Sequence, residues 1–162
     1  MIGTKNALKA YIETLPDDAT KYVVEPYKEK RSKDANSYFH VLAEKMRLEL
    51  GLSMARMKNQ LVARYGEMLK DKDGDQVVYK TNMPPEYALE QEEPHLWLVR
   101  SDVENGKEVY FYRVYDRTRD YNGKQMARLI DGTVSECKEM GIETLSPDKI
   151  AHLNAMWEQK HG

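Results

Sequence analysis

The sequence predicts an α+β fold, with a small antiparallel sheet that includes a hairpin at about 95–115, packed with four to five amphipathic helices. Three observations point there. Two β-rich runs flank an Asn105-Gly106 pair, apolar residues recur at helical spacing between capping residues and glycines, and helices and strands come in blocks instead of alternating.

Taken in order, Ala7, Leu8, Tyr11, Ile12 and Leu15 give a short helix from Asn6 to Leu15, stopped by Pro16. Tyr22 to Tyr27 reads as a strand. The polar run Ser32 to Asn36 suits capping, and Phe39, Leu42, Ala43, Met46 and Leu50 then share one helical stripe that Gly51 ends. Ser53 caps the next helix, whose Met54, Met57, Leu61 and Tyr65 repeat at i, i+3, i+7 and i+11 before Gly66. The pair has the outline of a helix-turn-helix, with Arg56, Lys58, Asn59, Gln60 and Arg64 facing water or a base.

Asp71 to Asp75 resembles a calcium loop only in its alternating carboxylates; its glycine is misplaced and Asn82 stands where the closing Glu belongs, so a solvated turn is expected. The segment 71–94, with Pro84, Pro85 and Pro94 among its acids, reads as a mobile acidic connection. Leu96 to Val99 and Val109 to Tyr115 form the hairpin arms. Asn122 caps a long helix carrying Met126, Leu129, Ile130, Val134, Cys137 and Met140, closed by Gly141, and Ser146-Pro147 opens a last one with Ile150, Leu153, Met156 and Trp157.

The 162 residues carry a net charge of -2, which excludes a generic polycation. The charge is segregated: residues 21–70 hold 11 basic and 6 acidic groups (+5), whereas residues 71–109 hold 4 and 10 (-6). Opposite surfaces of this kind suit different partners. Cys137, the lone cysteine, excludes a disulfide framework, and with no signal pattern or long apolar run the expected location is the cytoplasm, with no membrane association.

The chemical inventory argues against catalysis. His40, His95, His152 and His161 make no zinc spacing with Cys137 or each other, and no phosphate loop or nucleophile elbow occurs, so no metal, cofactor or catalytic residue is assigned. A magnesium-dependent nuclease or junction resolvase would have to use Asp116, Asp120 and Asp131. Nucleic-acid binding has more support. Lys28, Lys30, Arg31 and Lys33, with Ser32 and Asn36, bring cations and donors to a helix N-terminus that itself attracts phosphate. Arg113, Arg117 and Arg119 are interleaved with Tyr110, Tyr112 and Tyr115; these tyrosines and Tyr38 are the candidate base-stacking rings.

Lys30-Arg31-Ser32-Lys33-Asp34-Ala35-Asn36, ahead of an aromatic-containing amphipathic helix, resembles the Arg-Ser-x-Asp-x-Asn stretch of bacteriophage NinB (Orf) proteins. Gln125 to Ile142 and the following Thr144-Leu145-Ser146-Pro147-Asp148 resemble that family's C-terminal helix and final turn, and still more its uncharacterised relatives in prophages of Gram-positive bacteria. The likeness covers roughly 21–66 and 121–157. It implies a single NinB-like domain over 1–162, in the cytoplasm of a bacterial host cell, acting as a homodimeric recombination mediator. Such a mediator binds single-stranded DNA and associates with the host single-strand-binding protein, with Arg31, Ser32, Asp34 and Asn36 as motif residues. The physical division is that Asp34 and Asn36 fix the turn while the cations meet phosphate. A helix-turn-helix regulator reading bases through Lys58, Asn59 or Gln60 is the other alternative.

Overall fold

The computed structural model describes residues 4–24 and 34–162. The chain divides into two compact units, Met1–Arg31 and Ser32–Gly162. In the first, α1 (Lys5–Ile12) begins where the Thr4 hydroxyl accepts the Ala7 N–H, and it buries none of its residues. Residues 21–24 carry no regular element. The rest of the strand expected over Tyr22 to Tyr27 lies outside the described residues.

The second unit is α+β, with elements α2 (Ala35–Leu50), α3 (Met54–Tyr65), β1 (Val78–Thr81), α4 (Pro85–Ala88), β2 (His95–Glu104), β3 (Lys107–Tyr115), a short 3-10 turn (Thr118–Asp120), α5 (Gly123–Glu139) and α6 (Pro147–His161). Local chemistry sets their ends. Asp34 caps α2 by accepting the Ser37 N–H at 2.8 Å, and Gly51, at φ 67°, closes it in the left-handed region that a side chain resists. The Ser53 hydroxyl caps α3, and Asn122 and Gln125 form a reciprocal capping box at α5.

The sheet is antiparallel with order β1-β3-β2, and Asn105 and Gly106, at φ 50° and 73°, make the two-residue turn expected between β2 and β3. Period-2 alternation gives its two faces different cores. Tyr115 and Trp97 join the principal core, where Phe39, Leu42 and Met46 of α2 meet Met57 and Leu61 of α3, Met126, Leu129 and Ile130 of α5, and Trp157 of α6. Leu96, Tyr112 and Val114 on the opposite face join Ala88 in a second, smaller core. Each large side chain withdrawn from water contributes about 1.5–3 kcal/mol before ordering costs.

The segment 71–94, expected as a connection, contributes to that second core. Leu69, Val77 and Met83 pack into it, the Tyr112 hydroxyl donates to the Met83 carbonyl at 2.8 Å, and β1 pairs with β3. The Asp71 carboxylate accepts the N–H groups of Asp73 and Asp75, so the calcium-like run is a self-satisfied turn.

Candidate functional site

The hairpin register places His95, the first residue of β2, opposite Tyr115, the last of β3. The chain leaving Tyr115 therefore emerges beside His95, and Arg117, Thr118 and Arg119 follow at once. There the Thr118 hydroxyl donates to Asn36 Oδ1 at 2.8 Å, joining the 3-10 turn to the first turn of α2. The result is a cleft of about 330 Å³ lined by Asn36 and His40 of α2, Lys58 of α3, Glu92 and Glu93, His95, and Arg117, Thr118 and Arg119. Among the lining residues, three cations face two carboxylates.

The floor of this region is a buried polar relay. Asn59, 1% exposed, sits in the middle of α3, where an unpartnered amide would be costly. Its Nδ2 donates to the carbonyls of Leu89 and Gln91, both at 3.0 Å, and its Oδ1 faces Nδ1 of His95 at 2.9 Å. Two carbonyls can be met only by N–H groups, which fixes the amide orientation. Oδ1 can then only accept, so His95 Nδ1 carries the proton and Nε2 is left as an unprotonated acceptor.

The electrostatics hold that state. Burial, followed by the nearby Lys58 charge, pushes the His95 imidazole down to about 4, and the same two causes lower His40. Both rings are neutral near pH 7. Lys58 reaches Glu92 at 3.1 Å, Arg119 reaches Glu93 at 3.5 Å and Arg117 reaches Asp120 at 2.8 Å. The two arginine pairs are solvent-exposed and each is worth at most about 1 kcal/mol, so an incoming anion can displace the carboxylates.

Of the residues singled out in the sequence, Asn36, Arg117 and Arg119 line this cleft together. Asp34 is the α2 cap, as the division of the motif anticipated. Lys28, Lys30, Arg31, Ser32 and Lys33 lie outside the described residues. Arg113 is not at the cleft lining; it is half-buried opposite Trp97 and Val78 on the sheet, with its Nε buried and without a hydrogen-bond partner among the described residues.

The proposed stacking rings are placed differently. Tyr38, Tyr112 and Tyr115 are 3%, 0% and 4% exposed, so they are core and have no open face for a base. Tyr110 is half-buried and its hydroxyl donates to Glu108. Alternation explains this: Tyr110 and Tyr112 turn to the second core while Arg113 occupies the other face, so neighbours in sequence do not share a surface. Among the described residues the ring that meets cations is Phe111, with the Arg100 guanidinium 3.7 Å from its centroid and the Lys80 ammonium at 5.7 Å.

The alternatives are also located. Lys58 and Asn59 are buried and engaged with the 89–95 segment, and Arg56 reaches Glu90, so this face of α3 is covered by protein and not presented as a recognition helix. Asp116 is half-buried, its carboxyl raised first by burial and then by Asp120 and Glu67, while Asp131 lies exposed on α5. Among the described residues, no group of three or more His, Cys, Asp or Glu is placed to hold a metal ion. No described helix is long and apolar enough to cross a membrane.

Sequence reading missed His40, Lys58, Asn59 and His95 as a group. The available signal was in α3, where Ala55, Asn59 and Val62 recur at i, i+4 and i+7, placing a polar residue inside a second buried stripe. Comparison with known proteins adds no relative: no family model, curated protein or solved structure matches the chain.

Proposed function

We propose that the protein binds single-stranded DNA without catalysis, as a phage-derived recombination mediator that acts as a homodimer in the host cytoplasm alongside the single-strand-binding protein. The observation that supports the DNA-binding part is the Thr118–Asn36 hydrogen bond, which ties the Arg117–Arg119 turn to the first turn of α2 at a cleft that Lys58, Arg117 and Arg119 line. The run Lys28 to Lys33 directly precedes Asp34 in the chain and adds four cations next to it in sequence. Weakly held surface arginines are suited to phosphate, since exchanging a screened carboxylate for a polyanion releases counterions. The mediator role rests on the NinB-like motif and helix order.

Fluorescence anisotropy with single-stranded, duplex and four-way-junction DNA across salt tests the reading. The expected result is preference for single strands with a log–log salt slope of about -0.7 per neutralised phosphate. Equal, weak binding to all three sinks it. Junction preference or magnesium-dependent cleavage would favour a resolvase or nuclease, and selection of one duplex sequence would favour a regulator.

A further inference from the structure

The cleft holds a deeply buried polar group that cations and phosphates do not explain. Glu92 and Glu93 already face Lys58 and Arg119, and Asn36 Oδ1 accepts from Thr118. His95 is 4% exposed, lines the cleft, and turns its Nδ1 edge to Asn59, which lies outside the lining. Nε2, on the other edge of the ring, has no hydrogen-bond partner among the described residues. A phosphate is itself an acceptor and offers a neutral acceptor nothing, so the group that completes this site is an N–H or O–H donor attached to an anion.

Resting on the single-strand reading above, we infer that the cleft takes one unpaired base, whose Watson–Crick-edge N–H donates to His95 Nε2 while an adjoining phosphate meets Arg117 and Arg119. Every base carries at least one such donor, so the contact is tolerant of sequence. In a duplex those donors are spent on the opposite strand, so the contact rejects paired DNA. A space of about 330 Å³ suits one nucleotide and is too small for a base pair with its backbones. Asn59 is then a positioning residue: it holds the tautomer that makes Nε2 an acceptor.

The test compares labelled oligothymidylate, whose base has a single imino N–H, with the same oligomer methylated at that nitrogen, and with duplex. The wild type is expected to bind the unmodified oligomer about fivefold more tightly than the methylated one. His95→Phe is expected to bind both at the lower level. In histidine-labelled wild type, nitrogen NMR is expected to show the Nδ1-protonated tautomer, with the Nε2 resonance moving on addition of oligothymidylate and not of the methylated form; this readout stands even if His95→Phe fails to fold. Equal wild-type affinity for both oligomers overturns the base contact and leaves single-strand binding intact. A deficit with no change at Nε2 overturns it as well, because the bulk of the methyl group then suffices. No binding of either oligomer overturns the single-strand reading itself.

Discussion

Thr118 and Asn36, 82 positions apart, are joined by a 2.8 Å hydrogen bond in which the hydroxyl donates to the amide oxygen. The bond ties the start of α2 to the chain emerging from β3, and it keeps Arg117 and Arg119 at the rim of the cleft. Thr118→Val keeps the shape and deletes the donor. The expected cost is about 1 kcal/mol, a drop in Tm of about 2–4 °C, with single-strand affinity falling severalfold. A thermal melt paired with anisotropy checks both; unchanged affinity would detach this bond from the DNA site.

Arg117 and Arg119 should matter for affinity and little for folding. Their exposed ion pairs contribute at most about 1 kcal/mol each. Replacing both by Ala is expected to leave the urea midpoint within error and to flatten the salt slope by about 0.7 for each phosphate no longer neutralised. Titration at three salt concentrations reads the slope directly.

Asn59 satisfies three groups at once: the part-buried carbonyls of Leu89 and Gln91 and the buried Nδ1–H of His95. Asn59→Ala strands them, so a loss of about 3 kcal/mol is expected, several times that of an ordinary surface substitution. Urea unfolding with an unchanged m-value would locate the loss in stability and not in the denatured state.

Acidification should destabilise the protein through His95. His95 binds protons in the folded state only near about 4, against an ordinary value of 6.5 in the unfolded chain. Between those values the unfolded state holds more protons, so stability falls as pH falls, by up to about 3 kcal/mol from this group. His40 works in the same direction; Asp116, raised in the fold, opposes only at lower pH, near its own titration. Urea curves at pH 7 and 5.5 check the sign, and His95→Phe should flatten the difference.

Gly132 lies within α5, where Ala would ordinarily gain about 1 kcal/mol in helix propensity. A Cβ there would run into the Tyr65 ring of α3. Tyr65 cannot swing away freely, because its hydroxyl donates to Glu136 at 2.7 Å. Gly132→Ala is therefore expected to lower Tm, and a rise would show that α3 and α5 separate easily.

The fold was legible in the sequence because its signals are local. Asn105-Gly106 can adopt the positive φ that a tight hairpin needs, and Asp34, Ser53 and Asn122 announce helix starts with their own side chains. In the segment 71–94 the prolines and acids mask the apolar residues Val77, Met83 and Ala88, which matter only once β3 supplies a partner surface. Part of the cleft lining was legible, Arg117 and Arg119 as charge and Asn36 as a polar residue of the motif. The rest was not, since His95 becomes an oriented acceptor only through Asn59 and two distant carbonyls, and no spacing rule relates those positions. The tyrosines misled for the opposite reason: adjacency in a strand means opposite faces.

The cleft draws on four stretches of chain, near residues 36–40, 58, 92–95 and 117–119. None of them forms any part of a pocket alone, so the site comes into being only when the long-range packing of the second unit is complete. A ligand bound there has nothing to hold in the unfolded chain and reports on the whole architecture. Its occupancy should raise the melting temperature in proportion to the logarithm of its concentration. The same assembly means that a nascent chain gains the cleft only after the segment following β3 has been synthesised.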